Sequence, residues 1–123
     1  MATTNEQPDG ALTRLRDAIR DFTRERDWDQ FHTPKNLATS VSIEAAELLE
    51  LFQWLQTGTA AELGERRLTD VRHEIADVLV YLIRLADKLD INLVASTWEK
   101  LELNRAKYPA EKVKGDSRKY DEY

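Results

Sequence analysis

The chain has 123 residues with 41% hydrophobic positions, enough for one packed domain, and its four Gly and three Pro exclude a disordered or collagen-like chain. It has no cysteine, so neither disulfides nor thiolate chemistry are open to it. The net charge of −5 is concentrated in residues 44–77. There, eight carboxylates (Glu44, Glu47, Glu50, Glu62, Glu65, Asp70, Glu74, Asp77) face only Arg66, Arg67 and Arg72, the wrong sign for a nucleic-acid binder.

In chain order, the opening MATTNEQPDG is polar and lacks the apolar core of a signal peptide, so residues 1–10 read as a frayed leader. No apolar run approaches 18 residues, so no membrane span is expected and a cytoplasmic protein is the default. Leu12, Leu15, Ile19 and Phe22 recur near helical spacing and predict a first helix over 11–27. WDQFHTPK (28–35) breaks it, with Pro34 favouring a loop. A second helix is predicted from about residue 36 to 56, and a loop over 57–65, which contains Gly58 and Gly64. A third helix, about 66–88, carries Val71, Ile75, Val78, Leu79, Leu82 and Leu85 on its apolar positions. Asp90-Ile91-Asn92 forms a capped turn before a fourth helix over about 93–107, which stops ahead of Pro109. The tail over 111–123 is polar and reads as extended. The class is all-α: a bundle of four main helices, one domain over 11–110.

Two acid pairs interrupt this pattern. At about 100° per residue, Glu44 and Glu47 point the same way as Leu48, Leu51 and Leu55. On the third helix, Glu74 and Asp77 share a face with Val78, Tyr81 and Leu85. Either pair alone is equally an i,i+3 surface pair or a partner for an arginine across the bundle. Two inward pairs on neighbouring helices are harder to place, because a buried unpaired carboxylate costs several kcal/mol or protonates. A divalent cation relieves both burial and repulsion. An all-oxygen ligand set favours a hard ion, Mg²⁺ or Mn²⁺. A di-iron carboxylate bundle needs Glu-x-x-His on two helices, and neither His32 nor His73 fits that spacing.

On the fourth helix Lys100, Asn104 and Lys107 share one stripe, which is either a solvated face or a phosphate clamp. A hard-ion site beside lysines suits a polyphosphate, and no P-loop motif is present. Trp28 and His32 in the 28–35 loop, with Trp54 on the second helix, suit a base-stacking pocket. The alternative is that Trp28 and Phe31 merely close the core over a helix end, which is the reading preferred for Phe31.

Five ordered blocks carry a resemblance: ERDWDQFHTPKNLA (25–38), SIEAAELLELFQW (42–54), EIADVLVYL (74–82), KLELNRAKYP (100–109) and SRKY (117–120). Together they resemble the all-α nucleotide pyrophosphohydrolases of the MazG-like superfamily, and within it the dCTP pyrophosphatase branch. Where relatives often place glycine before each glutamate of the first motif, this chain has Ser42-Ile43-Glu44-Ala45-Ala46-Glu47. The resemblance implies hydrolysis of a nucleoside triphosphate between the α and β phosphates, with Mg²⁺ on Glu44, Glu47, Glu74 and Asp77. It implies Glu47 at the attacking water and Lys100 and Asn104 on the leaving pyrophosphate. It further implies substrate contacts from Trp28, His32, Trp54, Tyr81, Lys107 and Tyr108, and from Lys119 and Tyr120 in the tail. Relatives form dimers or tetramers with substrate between subunits, so a homo-oligomer, with a tetramer favoured, is expected. A dUTP or phosphoribosyl-ATP hydrolase, and a non-catalytic helical interaction module, remain alternatives.

Overall fold

The computed structural model describes residues 10–118 and 120–122, so nearly all of the leader lies outside the described residues, as does Lys119. Five helices follow one another: α1 (Ala11–Glu25), α2 (Pro34–Glu50), α3 (Ala60–Lys88), α4 (Leu93–Lys107) and a single turn, α5 (Ala110–Val113). Among the described residues there is no strand, and no helix is long and apolar enough to cross a membrane. The four main helices are those the hydrophobic periodicity predicts.

The connections decide where the side chains point. At the end of α1, Asp27 adopts a left-handed conformation (φ 55°). Trp28 N–H then donates to the Thr23 carbonyl at 3.0 Å, and Asp27 N–H to that of Arg24 at 3.1 Å. This 6→1, 5→2 pair is a Schellman ending, and it brings Trp28 back onto Phe22. The two rings meet edge to face, with centroids 5.8 Å apart. Asp90 repeats the device at the end of α3 (φ 56°), with Ile91 N–H donating to Ala86 at 2.8 Å.

Three predicted boundaries are corrected. Pro34 does not hold α2 off: it is its first residue, behind a Thr33 cap that accepts Asn36 N–H at 3.2 Å. Proline suits that position because the first-turn N–H has no partner to lose. At its other end α2 stops at Glu50 rather than near residue 56. The backbone tightens there into 3₁₀-type bonds, Leu51 N–H to Leu48 and Phe52 N–H to Leu49. The loop over 57–65 is partly helical, since α3 begins at Ala60 and breaks at Gly64 (φ 77°). Its start is a capping box: Thr59 accepts Glu62 N–H, and the Glu62 carboxylate reaches back to the N–H groups of Gln56, Thr57 and Gly58 at 2.8–3.0 Å. Gly58 is required in that turn: its φ is +75°, and a Cβ there would sit 2.7 Å from the Phe52 ring. The tail is not wholly extended either. Backbone bonds from Lys112 and Val113 to Pro109 close α5, and a 3₁₀ turn spans Tyr120–Glu122.

The packing is unequal. α3 is the spine: α2 packs along it and α1 packs on it more briefly, whereas α4 has no comparably extended interface. The buried apolar core is correspondingly small: Leu37, Leu63, Val71, Ile83 and Ala86. Phe31 is 59% exposed, so it does not close the core as its preferred reading had it.

The capping box predicts a pH signature. Hydrogen bonds from Gln56, Thr57 and Gly58 hold the Glu62 carboxyl down at about 2 from an ordinary 4.5. A depressed carboxyl contributes stability above its unfolded value and loses it as the pH falls toward the folded one. Glu62→Gln should therefore melt lower than wild type at pH 7, and the gap should close between about pH 4.5 and 2. A gap that stays constant across a pH series of thermal melts would refute this role.

Candidate active site

The α2–α3 interface brings the two acid pairs together. One carboxylate oxygen each from Glu44, Glu74 and Asp77 lies within 4.8 Å of the others. Glu47 completes the group, close enough to Glu44 to hydrogen-bond it. The pairs are not wholly inward. Glu44 and Glu74 are half-buried, while Glu47 and Asp77 lie at the exposed rim. Burial first, then the Glu47 hydrogen bond and the charges of Glu47, Asp77 and Glu74, push Glu44 up to about 7. Glu74 is also raised, by burial first and then by Glu47 and Asp77, with a hydrogen bond to Glu44 in opposition.

One Glu74 oxygen, Oε2, is buried with no hydrogen-bond partner. An orphaned buried carboxylate oxygen among three other acids is the condition a cation would relieve. Oxygens on opposite sides of one Mg²⁺ are about 4.2 Å apart, given metal–oxygen distances near 2.1 Å. The spread of the three acids is of that size, so the donor set fits a divalent cation.

Beside the acids, a cavity of about 490 Å³ opens between α1, the 28–32 loop and α3. Its walls include Phe22, Trp28, His32, Asp77, Val80 and Tyr81. Three of the predicted substrate residues thus share one cavity with a predicted metal ligand. Trp28 keeps 44% of its surface exposed. His32 is half-buried, and its Nδ1 accepts the Arg84 Nε–H at 3.1 Å. Its pKa is held below the ordinary value, by burial first and by the Arg84 charge second.

Other predicted residues stand apart. Trp54 is 87% exposed, in the turn after α2, and lines no part of this cavity. Lys100 and Lys107 are exposed and Asn104 half-buried on α4, the helix least packed on the others. Tyr108 is half-buried just past the end of α4. None of these α4 residues lines the cavity beside the acids. Tyr120 begins the last 3₁₀ turn, and Lys119 falls outside the described residues.

Arg84 is the residue that sequence reasoning missed. It is 5% exposed and bonds Asp29, Asp87 and His32. Arg20 from α1 grips Asp87 through two bonds, at 2.7 and 2.5 Å, and holds its carboxyl below the usual range. The available signal was a cation in an apolar stripe, seven residues after Asp77.

The chain is similar to known proteins. Residues 39–123 match the MazG-like family. The chain is 38% identical over 117 residues to dCTP pyrophosphatase 1 of Homo sapiens, covering 94% of this chain and 69% of that protein. It is 36% identical over 116 residues to the Rattus norvegicus dCTP pyrophosphatase 1, covering 92% and 68%. A solved pyrophosphatase from Archaeoglobus fulgidus DSM 4304 shares the fold with a TM-score of 0.73 at 49% identity, covering 78% of this chain and 90% of that one. The chain belongs to the MazG-like family.

Repulsion among the acids yields a prediction. Glu47→Gln and Asp77→Asn each remove one charge from the cluster, so without added metal the melting temperature should hold or rise by a few degrees, about 1 kcal/mol or less. A large loss of helical circular dichroism in either variant would instead make that carboxylate structural.

Proposed function

We propose that this MazG-like enzyme hydrolyses dCTP, or a base-modified dCTP, between its α and β phosphates, releasing the monophosphate and pyrophosphate. The observation that carries the reading is the convergence of Glu44, Glu74 and Asp77, with Glu47 hydrogen-bonded to Glu44 and one Glu74 oxygen orphaned and buried, beside a cavity walled by Trp28, His32 and Tyr81. The dCTP pyrophosphatases that share over a third of its residues support the choice of nucleotide. A dUTP or phosphoribosyl-ATP hydrolase would use the same acids, so the base pocket carries the distinction.

Glu44, Glu74, Asp77 and Glu47 would hold the divalent cation, with Mg²⁺ the proposed ion and Mn²⁺ its nearest substitute. A bound cation supplies Lewis acidity toward phosphate oxygens and toward the attacking water. Glu47, exposed at the rim of the cluster, would orient that water and accept its proton. Trp28 and Tyr81 present ring surface to the base, a contact worth roughly 1–3 kcal/mol per stacked base. The remaining contribution is charge stabilisation on the departing pyrophosphate, assigned to Lys100 and Asn104, with Lys107, Tyr108 and the tail residues Lys119 and Tyr120 completing the phosphate and sugar contacts.

Those groups need a second chain. α4 exposes Trp98, Leu101 and Leu103, and an apolar cleft of about 430 Å³ lies open between α1, α3 and α4. In this reading a cytoplasmic homo-oligomer, a tetramer in preference to a dimer, covers that surface. One subunit's α4 and Trp54 then complete the site of its neighbour.

Two measurements test the proposal. Incubated with dCTP and Mg²⁺, the enzyme should release dCMP and pyrophosphate; dCDP and orthophosphate on the chromatogram would refute the cleavage position. Light scattering at micromolar concentration should report a dimer or a tetramer. A particle of one chain's mass, 14.2 kDa, would contradict the shared site.

A further inference from the structure

Arg84 stands on α3 with its guanidinium turned to the 28–32 loop. Four groups hold it there. Asp29 and Asp87 bond it directly, Asp87 at 3.5 Å. Lys88 closes on Asp29 at 2.7 Å, and Arg20 fixes Asp87 from α1. Clamped between two carboxylates, the guanidinium is kept on His32, with its Nε–H 3.1 Å from Nδ1.

A guanidinium has donors only and does not deprotonate in proteins. The imidazole nitrogen that it meets must therefore present a lone pair. A neutral imidazole carries one proton, so that proton sits on Nε2. The neutral form is the one favoured here. Burial, Arg84 and Lys88 all act against a second proton, and Asp29 alone favours it. The other ionisable side chains lining the same cavity are Asp77 and Tyr81. Among the described residues Nε2 donates to no protein group, so the donor is available at the cavity.

We propose that Arg84 is a positioning residue that locks His32 as an Nε2–H donor at the cavity walled by Trp28 and Tyr81, and that this donor selects a pyrimidine with an acceptor at ring position 3. Cytosine presents a bare nitrogen there, whereas uracil and thymine present an N–H. An Nε2–H opposite that N–H would leave two donors facing each other in a half-buried site. A buried group left without its partner in this way costs far more than a well-made bond gains. The other tautomer would invert the preference. Arg84 thus sets base choice without touching the base. This inference rests on the proposal that the cavity receives the base of a nucleoside triphosphate.

The test is side-chain nitrogen NMR on the ¹⁵N-labelled full-length chain at pH 7.5, with the exposed His73 replaced (His73→Gln) to assign His32. Wild type should show a protonated Nε2 and a bare Nδ1. In Arg84→Met the two tautomers should mix. Its kcat/KM ratio of dCTP to dUTP should fall about tenfold, mostly through KM for dCTP, with kcat within about threefold. Arg84→Lys, which keeps a cationic donor, should restore the Nε2–H tautomer and part of the ratio. A wild-type His32 protonated on Nδ1 overturns the proposal. So does an Arg84→Met enzyme with an unchanged nucleotide ratio. If Arg84→Met does not fold, the wild-type tautomer and the ratio in Arg84→Lys decide the matter. Because the tautomer is read without substrate, failure of dCTP hydrolysis would refute the proposed function and still leave the Arg84–His32 assignment to be judged on its own.

Discussion

Everything in this protein is arranged around a repulsion. Four carboxylates from α2 and α3 are held close enough for Glu44 to be pushed up to about 7 and for one oxygen of Glu74 to be left buried and unpaired. Such a cluster does not form by itself, because each added charge raises the free energy of the others. The packing of α2 along α3 holds it together, through side chains such as Leu37, which is 1% exposed, and Val71. The long α3 is therefore both the structural spine and the carrier of half the site. Its first turns meet the Glu62 capping box, its middle presents Glu74 and Asp77, and its last turns present Tyr81 and Arg84 to the cavity beside the acids.

A second constraint follows from size. A domain of this length has little interior to share, and spending part of one helix interface on acids leaves a small apolar core. Part of the unburied remainder lies on α4 and on the faces of α1 and α3 beside it, and part on Ile43, Leu49 and Trp54 of α2 and the turn after it. The same economy explains why charged groups anchor the loop that walls the cavity. Asp29, Arg84, Asp87, Arg20 and Lys88 form one connected network across α1, the loop and α3. Its cost in desolvation is tolerable because each charge meets at least one opposite charge. Its product is orientation: the loop that carries Trp28 and His32 is held against α3.

Much of this was legible in the residues. The acid-x-x-acid spacing gave away the convergence of Glu44, Glu47, Glu74 and Asp77, because helical periodicity reports which side chains share a face. α4 runs from Leu93 to Lys107, the span predicted from the Asn92 cap and Pro109. Four things were not legible through periodicity. Thr33-Pro34 looks like a break because proline stops helices, although behind a threonine cap it starts one. The Thr59-x-x-Glu62 capping box was a local signal within a segment dismissed as loop for its glycines. The position of α4 was out of reach for a different reason. A stripe such as Lys100, Asn104 and Lys107 shows that a helix has a face, not which helix, or which chain, that face meets. Arg84 was hidden for the same reason, since its loop partners His32 and Asp29 lie 52 and 55 residues away in sequence.

Divalent-cation binding by the four carboxylates is what the rest of the site depends on. A ligand that binds only the folded state raises its stability as RT ln(1 + [L]/Kd), so the measurement is the melting temperature across a Mg²⁺ series, with Ca²⁺ and Mn²⁺ series beside it. The wild-type melting temperature should climb steadily with the logarithm of Mg²⁺ concentration, and Glu74→Gln, which removes the orphaned carboxylate, should give a flat line. A wild-type protein whose melting temperature ignores all three cations would contradict that binding.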